Sequence, residues 1–311
     1  MASFHLPATS ETVRWGMFDS SFPPVLEVDS GDIVTVDTLS GEPDDLPEGY
    51  TVLPEHRAVL AACDRGPGPH LITGPIAVRG AEPGDVLEVR ILAISLVQDW
   101  GWNIILPGLG TLPEDFPDKK RTFLPLDRDA GIARMPWGGT LKLRPFMGIL
   151  ASAPPPEWGR ITSVIPRAHG GNMDNKELVA GTTLYLPVWS PGGLFLVGDG
   201  HAVQGDGEVC LTAIETAMTG TFQLILRKDL HLDLPEAETP THHMTIGFDP
   251  ELDVAAKIAL RRMIALIRER STLTAEEAYM LCSLAADLRV TQTVDINKGI
   301  HVMLPKDALA G

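Results

Sequence analysis

Turn-forming residues interrupt this chain so often that a helical bundle is excluded before any motif is read. Its 311 residues include 30 glycines and 26 prolines, against about 7% and 5% in ordinary proteins. Glycine supplies the positive φ of tight turns and proline removes a backbone donor, so both break helices and bound short strands. Runs such as VLEV, GDIVTV, PIAV and GDVLEVRIL between Val25 and Ile94 read as strands of an antiparallel layer. In two of them Gly-Asp stands just before the β-branched stretch, as in a turn that feeds a strand. No three-residue glycine period indicates collagen, and no apolar run approaches the roughly 18 residues of a membrane helix. With 44% hydrophobic and 21% charged residues, the chain has apolar material for a large core and is expected to fold throughout.

Between Val97 and Pro156, Trp100, Gly101, Trp102, Pro107, Gly108, Gly110, Pro113 and Pro117 crowd together, which predicts long loops with few strands. TLYLPV and LFLVGD read as further strands among glycine-rich connections. After Asp249 the period changes. AAKIALRRMIALIRER places Ile258, Met263, Ile264, Leu266 and Ile267 at helical spacing. Thr274, with Glu277 three residues later, is a capping box opening a second amphipathic helix. The apolar face expected for it is Tyr279, Leu281, Cys282, Leu284, Ala285 and Leu288. With no linker of low complexity, residues 1–311 read as one unit, softly divided into a β-rich part, 1–160, and a part with the C-terminal helices, 161–311.

A formal net charge of −16 repels phosphate backbones and anionic headgroups, so nucleic acid and membrane are not expected partners. Cys63, Cys210 and Cys282 form no C-x-x-C pair, which suggests neither a disulfide framework nor a cysteine zinc knot. The amino terminus shows no basic start followed by an apolar stretch, and a cytoplasmic location is the expectation.

No P-loop, dinucleotide fingerprint or nucleophile elbow is present. What stands out is VGDGHAVQGDGEV, where Asp199, His201, Gln204, Asp206 and Glu208 are interleaved with Gly198, Gly200, Gly205 and Gly207. Oxygen and nitrogen donors on so pliable a backbone suit a cation, although Asp-Gly repeats also make plain hairpin turns. On a strand entering VCLTAI, Asp206 and Glu208 would share one face. In AHGGNMDNKEL, Asn172 or Asp174 could equally cap a short helix. His70, between two Pro-Gly turns, and His242-His243 read by themselves as structural residues, and Cys210 as a core residue of an apolar strand. Trp100, Trp102 and Phe195 could line an apolar pocket, and the two tryptophans could equally anchor a loop.

Taken together, PGPHLITGPIAVRGAEPGDVLEV, GGNMD at Gly170 to Asp174, LYLPV, GDGHAVQGDGEVCLTAIE and LTAEEAYMLCSLAADLRVTQTVD resemble the acetamidase/formamidase family, in its order and over nearly the whole chain. The length is similar to its shorter, acetamidase-like branch, and Leu71 departs from the more polar residue expected after the histidine. The resemblance implies a mainly β or α+β fold, with a sandwich-like or barrel-like body and an α/β portion. It also implies hydrolysis of a small carboxamide to carboxylate and ammonia, and a divalent metal, zinc first and calcium as the alternative. From residue chemistry, His70, Asp174 and His201 would hold the metal. Glu208 would be the general base for a metal-activated water, Asn172 would donate to the oxyanion, and Asp199 would orient His201. Three other readings stay open: a cyclic amide (γ-lactam) as substrate, a metal-free mechanism, and a non-catalytic protein with structural calcium. A small-molecule substrate and a homo-oligomer, dimer or higher, are the expected partners.

Overall fold

The computed structural model describes residues 1–309. Its largest element is an open nine-stranded sheet in the order Ser3–Leu6, Ile33–Asp37, Met218–Arg227, Val86–Leu96, Thr183–Pro187, Glu236–Glu238, His242–Asp249, Lys298–Pro305, Asp287–Gln292. The two end strands do not pair with each other, so the described residues form no closed barrel. A second sheet runs Gly170–Asn172, Phe146–Ala151, Phe195–His201, Leu71–Val78, Val13–Trp15, with Leu26–Val28 also on Leu71–Val78. The Met218–Arg227 strand shows how the sequence sets the layers: Met218, Gly220, Phe222 and Leu224 are buried, while Thr219, Thr221 and Gln223 alternate with them at partial exposure. Val34, Val36, Val89, Ile91 and Phe222 from the first sheet share one core with Ile76, Leu150, Phe195 and Val197 from the second. Phe195 meets Phe222 at 5.5 Å between ring centroids, so it is a core residue and not a pocket wall.

The segment expected as loops is more regular than its punctuation suggests. Trp100–Ile105, Lys120–Asp127, Ile132–Arg134 and Thr140–Lys142 form a four-stranded sheet. Trp100 is fully buried and donates through Nε1 to Thr51 O at 2.9 Å, the anchoring role. A short helix, α1 (Pro54–Ala62), was not signalled by the sequence; it buries only His56 and Val59, too few for a visible period.

The helices α2 (Leu252–Arg270) and α3 (Ala275–Ala285) match the two expected near the C-terminus. The α2 helix lies on the His242–Asp249 and Lys298–Pro305 strands, burying Ala255, Ala259, Met263, Leu266 and Ile267 against Ile300, Val302 and Leu304. Gly247 permits this contact, since a Cβ there would overlap Ala255 O. The capping box of α3 forms, with Thr274 Oγ1 accepting from Glu277 N and Glu277 Oε2 accepting from Thr274 N. Its expected apolar face needs correction: α3 buries Ala278 and Cys282, whereas Tyr279 and Leu284 are exposed and Leu288 is in the following strand. α3 rests chiefly on α2 and only lightly on the Lys298–Pro305 strand, so it buries a narrower stripe than its apolar residues could cover. No helix among the described residues is long and apolar enough to cross a membrane.

Candidate active site

The central Phe195–His201 strand ends in Asp199, Gly200 and His201, and the period of two sets Asp199 and His201 on one face. Beneath them the neighbouring strand places Gly148, where a Cβ would lie 2.6 Å from Asp199 Oδ2 and 2.9 Å from His201 Cε1, and would overlap Asp174 Oδ1. Only glycine leaves room there. Asp174 follows the Gly170–Asn172 strand, and its backbone N–H and that of Met173 donate to Gly148 O at 3.2 and 3.0 Å. Glu208 comes from the turn after Gly207. Glu215 comes from a backbone bridge that pairs it with both Trp102 and His201.

His201 is the hub. Gln204 Nε2 donates to Asp174 O at 2.7 Å, which turns Gln204 Oε1 toward His201 Nδ1 at 3.0 Å. The Nδ1 atom therefore donates and Nε2 faces the acids. Around Nε2 stand Asp199 Oδ2 and Glu215 Oε1, each at 3.1 Å, and Asp174 Oδ1 at 3.8 Å. His70 approaches from the rim, with Nε2 4.0 Å from Asp199 Oδ2 and Nδ1 2.8 Å from Ser163 Oγ. Asp295 completes the group through contact with the carboxyl of Asp174.

Asp174, Asp199, Glu208, Glu215 and Asp295 are all buried, and among the described residues no Lys or Arg nitrogen lies within 4.0 Å of their carboxyl oxygens. Burial pushes Asp174, Glu208 and Asp295 above the usual carboxylate range, and Glu215 up to about 8. Asp199 is the exception: burial raises it, but the adjacent His201 and His70 outweigh that and hold it low. Burial opposes charge on His201, yet Glu215 and Asp199 raise its pKa well above the ordinary value. The backbone is strained as well. Among the described residues six non-glycine residues have positive φ, and three of them are Asp174 (46°), Asp199 (58°) and Glu208 (47°). Each such conformation costs energy, and strain of this kind collects at functional sites.

Four buried oxygens, Asp174 Oδ1, Glu208 Oε2, Glu215 Oε2 and Asp295 Oδ2, have no hydrogen-bond partner among the described residues. Their donor set fits a divalent cation: Asp174, His201 and Glu208, and likewise Asp199, His201 and Glu215, offer ligand atoms within 4.8 Å of one another. Ligands about 2.1 Å from one ion at tetrahedral or right angles stand roughly 3.0–3.4 Å apart, close to the 3.1 Å spacings around Nε2.

The residues expected from the sequence do not all fall where they were expected. His201, Asp174, Asp199 and Glu208 come together, with His70 at the rim. Asp199 does not brace His201 from behind, since it faces Nε2 and Gln204 holds Nδ1. Asn172 is set opposite Ile149, one residue off the Gly148 row, and no hydrogen bond joins its side chain to the cluster. DNKELV is a turn, not a capped helix. EVCLTAI is irregular rather than a strand, so Asp206 leaves the face of Glu208 and pairs with Lys176 at 3.0 Å. Cys210 is half-buried beside Asn103 instead of in a core strand. Glu215 and Asp295 were not singled out by the sequence. The φ of Asp174, Asp199 and Glu208 could not be read from residue types, and the distance in sequence hides Asp295.

Residues 9–163 and 159–310 match the family model described as the Acetamidase/Formamidase family. A formamidase of Methylophilus methylotrophus is 32% identical over 212 residues, 51% of this chain and 52% of that protein. The chain thus spans about half the length of the curated relatives it matches. An acetamidase structure from Bacillus halodurans superposes with a TM-score of 0.85 at 33% identity, covering 98% of each chain. One from Yersinia enterocolitica gives 0.87 at 31% identity, covering 99% of this chain and 93% of that one. By sequence and by fold, this chain belongs to the acetamidase/formamidase family.

Proposed function

We propose that this chain hydrolyses small carboxamides, converting R–CO–NH2 and water to R–COO⁻ and ammonium at the cluster around His201. The observation that carries the reading is the group of buried carboxyls around one imidazole, four of them with an unpartnered oxygen among the described residues and three, Asp174, Asp199 and Glu208, on left-handed backbone. The names of the relatives, formamidase and acetamidase, support the substrate class. His201 Nε2 and Asp174, with His70 at the rim, would hold a divalent cation; Asp199 and Glu215, each 3.1 Å from the same nitrogen, are additional donors. The imidazoles favour zinc, while calcium would draw on the carboxylates alone. When bound, such a cation supplies Lewis-acid polarisation and lowers the pKa of water.

Glu208 is the general base of this proposal. It takes a proton from the attacking water and returns it to the amine as the carbon–nitrogen bond breaks. Burial raises its proton affinity toward the range useful near neutrality, and its Oε2 has no other partner. Gln204 keeps His201 in one tautomer throughout, so the ring cannot take over the base role by flipping.

Ammonia release from formamide, acetamide and propionamide, and ring opening of a γ-lactam, measured before and after chelation, test the reading. Turnover of at least one linear amide, lost on chelation and restored by Zn²⁺, is expected. Turnover of none would contradict the reaction, and full activity in metal-free protein would contradict the cation's part in it.

A further inference from the structure

The two C-terminal helices leave an apolar face in water. On α3, Met280 and Leu284 stand four residues apart on one side of the helix and are 57% and 84% exposed, with Tyr279 beside them at 58%. Single apolar side chains on a surface are ordinary, but three large ones side by side on an 11-residue helix mark a contact surface. Next to them a groove runs between the helices, lined by Leu260 and Ile264 of α2 and Tyr279 of α3, with Lys257, Arg261 and Glu276 also on it. The charged groups of the groove are as unpartnered as its apolar ones. Arg262, one position on, pairs with Glu236 at 2.9 Å, whereas among the described residues Lys257, Arg261 and Glu276 have no opposite charge within 4.0 Å. The α2 helix carries five cations, Lys257, Arg261, Arg262, Arg268 and Arg270, against Asp253 and Glu269, in a chain of net charge −16. Copies of so acidic a chain repel one another over most of their surface, and α2 is a place where that repulsion is reversed.

This one face holds both members of each complementary set: exposed apolar side chains beside an apolar groove, and an unpaired anion beside unpaired cations. A two-fold axis sets each member opposite the other, because in an isologous contact residue i meets j and j meets i. A partner of different sequence needs only one member of each set. We propose that the face is a two-fold interface between copies of this chain, in which Met280 and Leu284 enter the groove beside the partner's Leu260 and the partner's Ile264, while Glu276 meets the partner's Lys257 and the partner's Arg261. The apolar contact supplies the affinity, and the ion pairs fix the orientation. The inference is independent of the proposed reaction, since no residue of the His201 cluster lies on α2 or α3.

Sedimentation equilibrium and light scattering on the full chain test it. The parent is expected to contain an even number of copies. Met280→Gln combined with Leu284→Gln is expected to halve that number and to weaken association at least about 100-fold. Both side chains face water in the single chain, so the variant should keep the parental circular-dichroism spectrum. Glu276→Lys sets like charges opposite one another and is expected to weaken association at least about 10-fold. Adding Lys257→Glu and Arg261→Glu to it exchanges the charges on both sides and is expected to restore the assembly, which the loss of a purely local role on α3 would not allow. A parent that is a single chain or holds an odd number of copies overturns the inference. So does a glutamine variant with the parental mass, and so does a charge-exchanged variant that folds and stays dissociated.

Discussion

Two buried regions of this chain follow opposite rules. Where α2 rests on the C-terminal strands, the contact is made by Ala255, Ala259, Met263, Leu266 and Ile267, and the neighbouring α3 begins at a complete capping box. The helical spacing of α2 and the cap of α3 agree with the fold there, as expected where stability alone is at stake. Around His201, five carboxyls are buried, four of them with an unpartnered oxygen among the described residues, on backbone that is left-handed at three of the five. Every one of those features opposes stability. The contrast teaches that the chain tolerates a costly region where chemistry is proposed and supports it with surroundings as regular as the helical end.

Each region turns on a glycine of its own, and that gives the strongest way to break the comparison. Gly148→Ala pushes a methyl group into Asp174 and Asp199, and a misplacement of this order costs roughly 100-fold in turnover; ammonia-release kinetics read it. Gly247→Ala should do the reverse, since its Cβ meets the α2 backbone. We expect a loss of about 1–3 kcal/mol or more by denaturant unfolding, with turnover of the remaining folded protein kept. Equal effects of the two substitutions on turnover would erase the distinction.

Acidification probes a third buried place. His169 lies between Phe18 and Trp158, and burial, then the charge of Arg167, lowers its pKa to about 3. In the unfolded chain it titrates near 6.5, so between these values the unfolded state binds the extra proton. Its contribution is therefore present above pH 6.5 and lost as pH falls toward 3, by at most about 1.4 kcal/mol per pH unit. The variant His169→Phe should lose stability less steeply over that range, and parallel pH profiles would contradict the assignment. The smallest effect belongs to the helical end: Thr274→Ala removes the cap of α3 and should cost about 1 kcal/mol, visible as a lower Tm with unchanged kcat.

The sequence disclosed these regions unequally, for physical reasons. The spacing of Met263, Leu266 and Ile267 and the Thr274–Glu277 box are local signals, and both helices form where those signals stand. Strands such as Ile33–Asp37 and Val86–Leu96 were legible from β-branched runs after Gly-Asp turns. The buried face of α3 was not, because how much of an apolar stripe is covered depends on the neighbouring elements, and the packing of α3 on α2 leaves a side chain such as Leu284 in water. At the site, the glycine-rich segment holding Asp199, His201 and Glu208 was conspicuous, yet the partners of His201 were only partly foreseeable. Glu215 reaches it through an isolated bridge, and Asp295 arrives on a hairpin about ninety residues beyond.

The central claim is that an amide is hydrolysed at this cluster with Glu208 as base, and Glu208→Gln tests it most directly, with acetamide turnover and thermal unfolding measured on one preparation. The account predicts that kcat falls by roughly 10²–10⁴-fold while Tm holds or rises, because a buried, unpartnered acid on left-handed backbone has been replaced by a neutral amide. A folded Glu208→Gln protein that releases ammonia at the parental rate would contradict it.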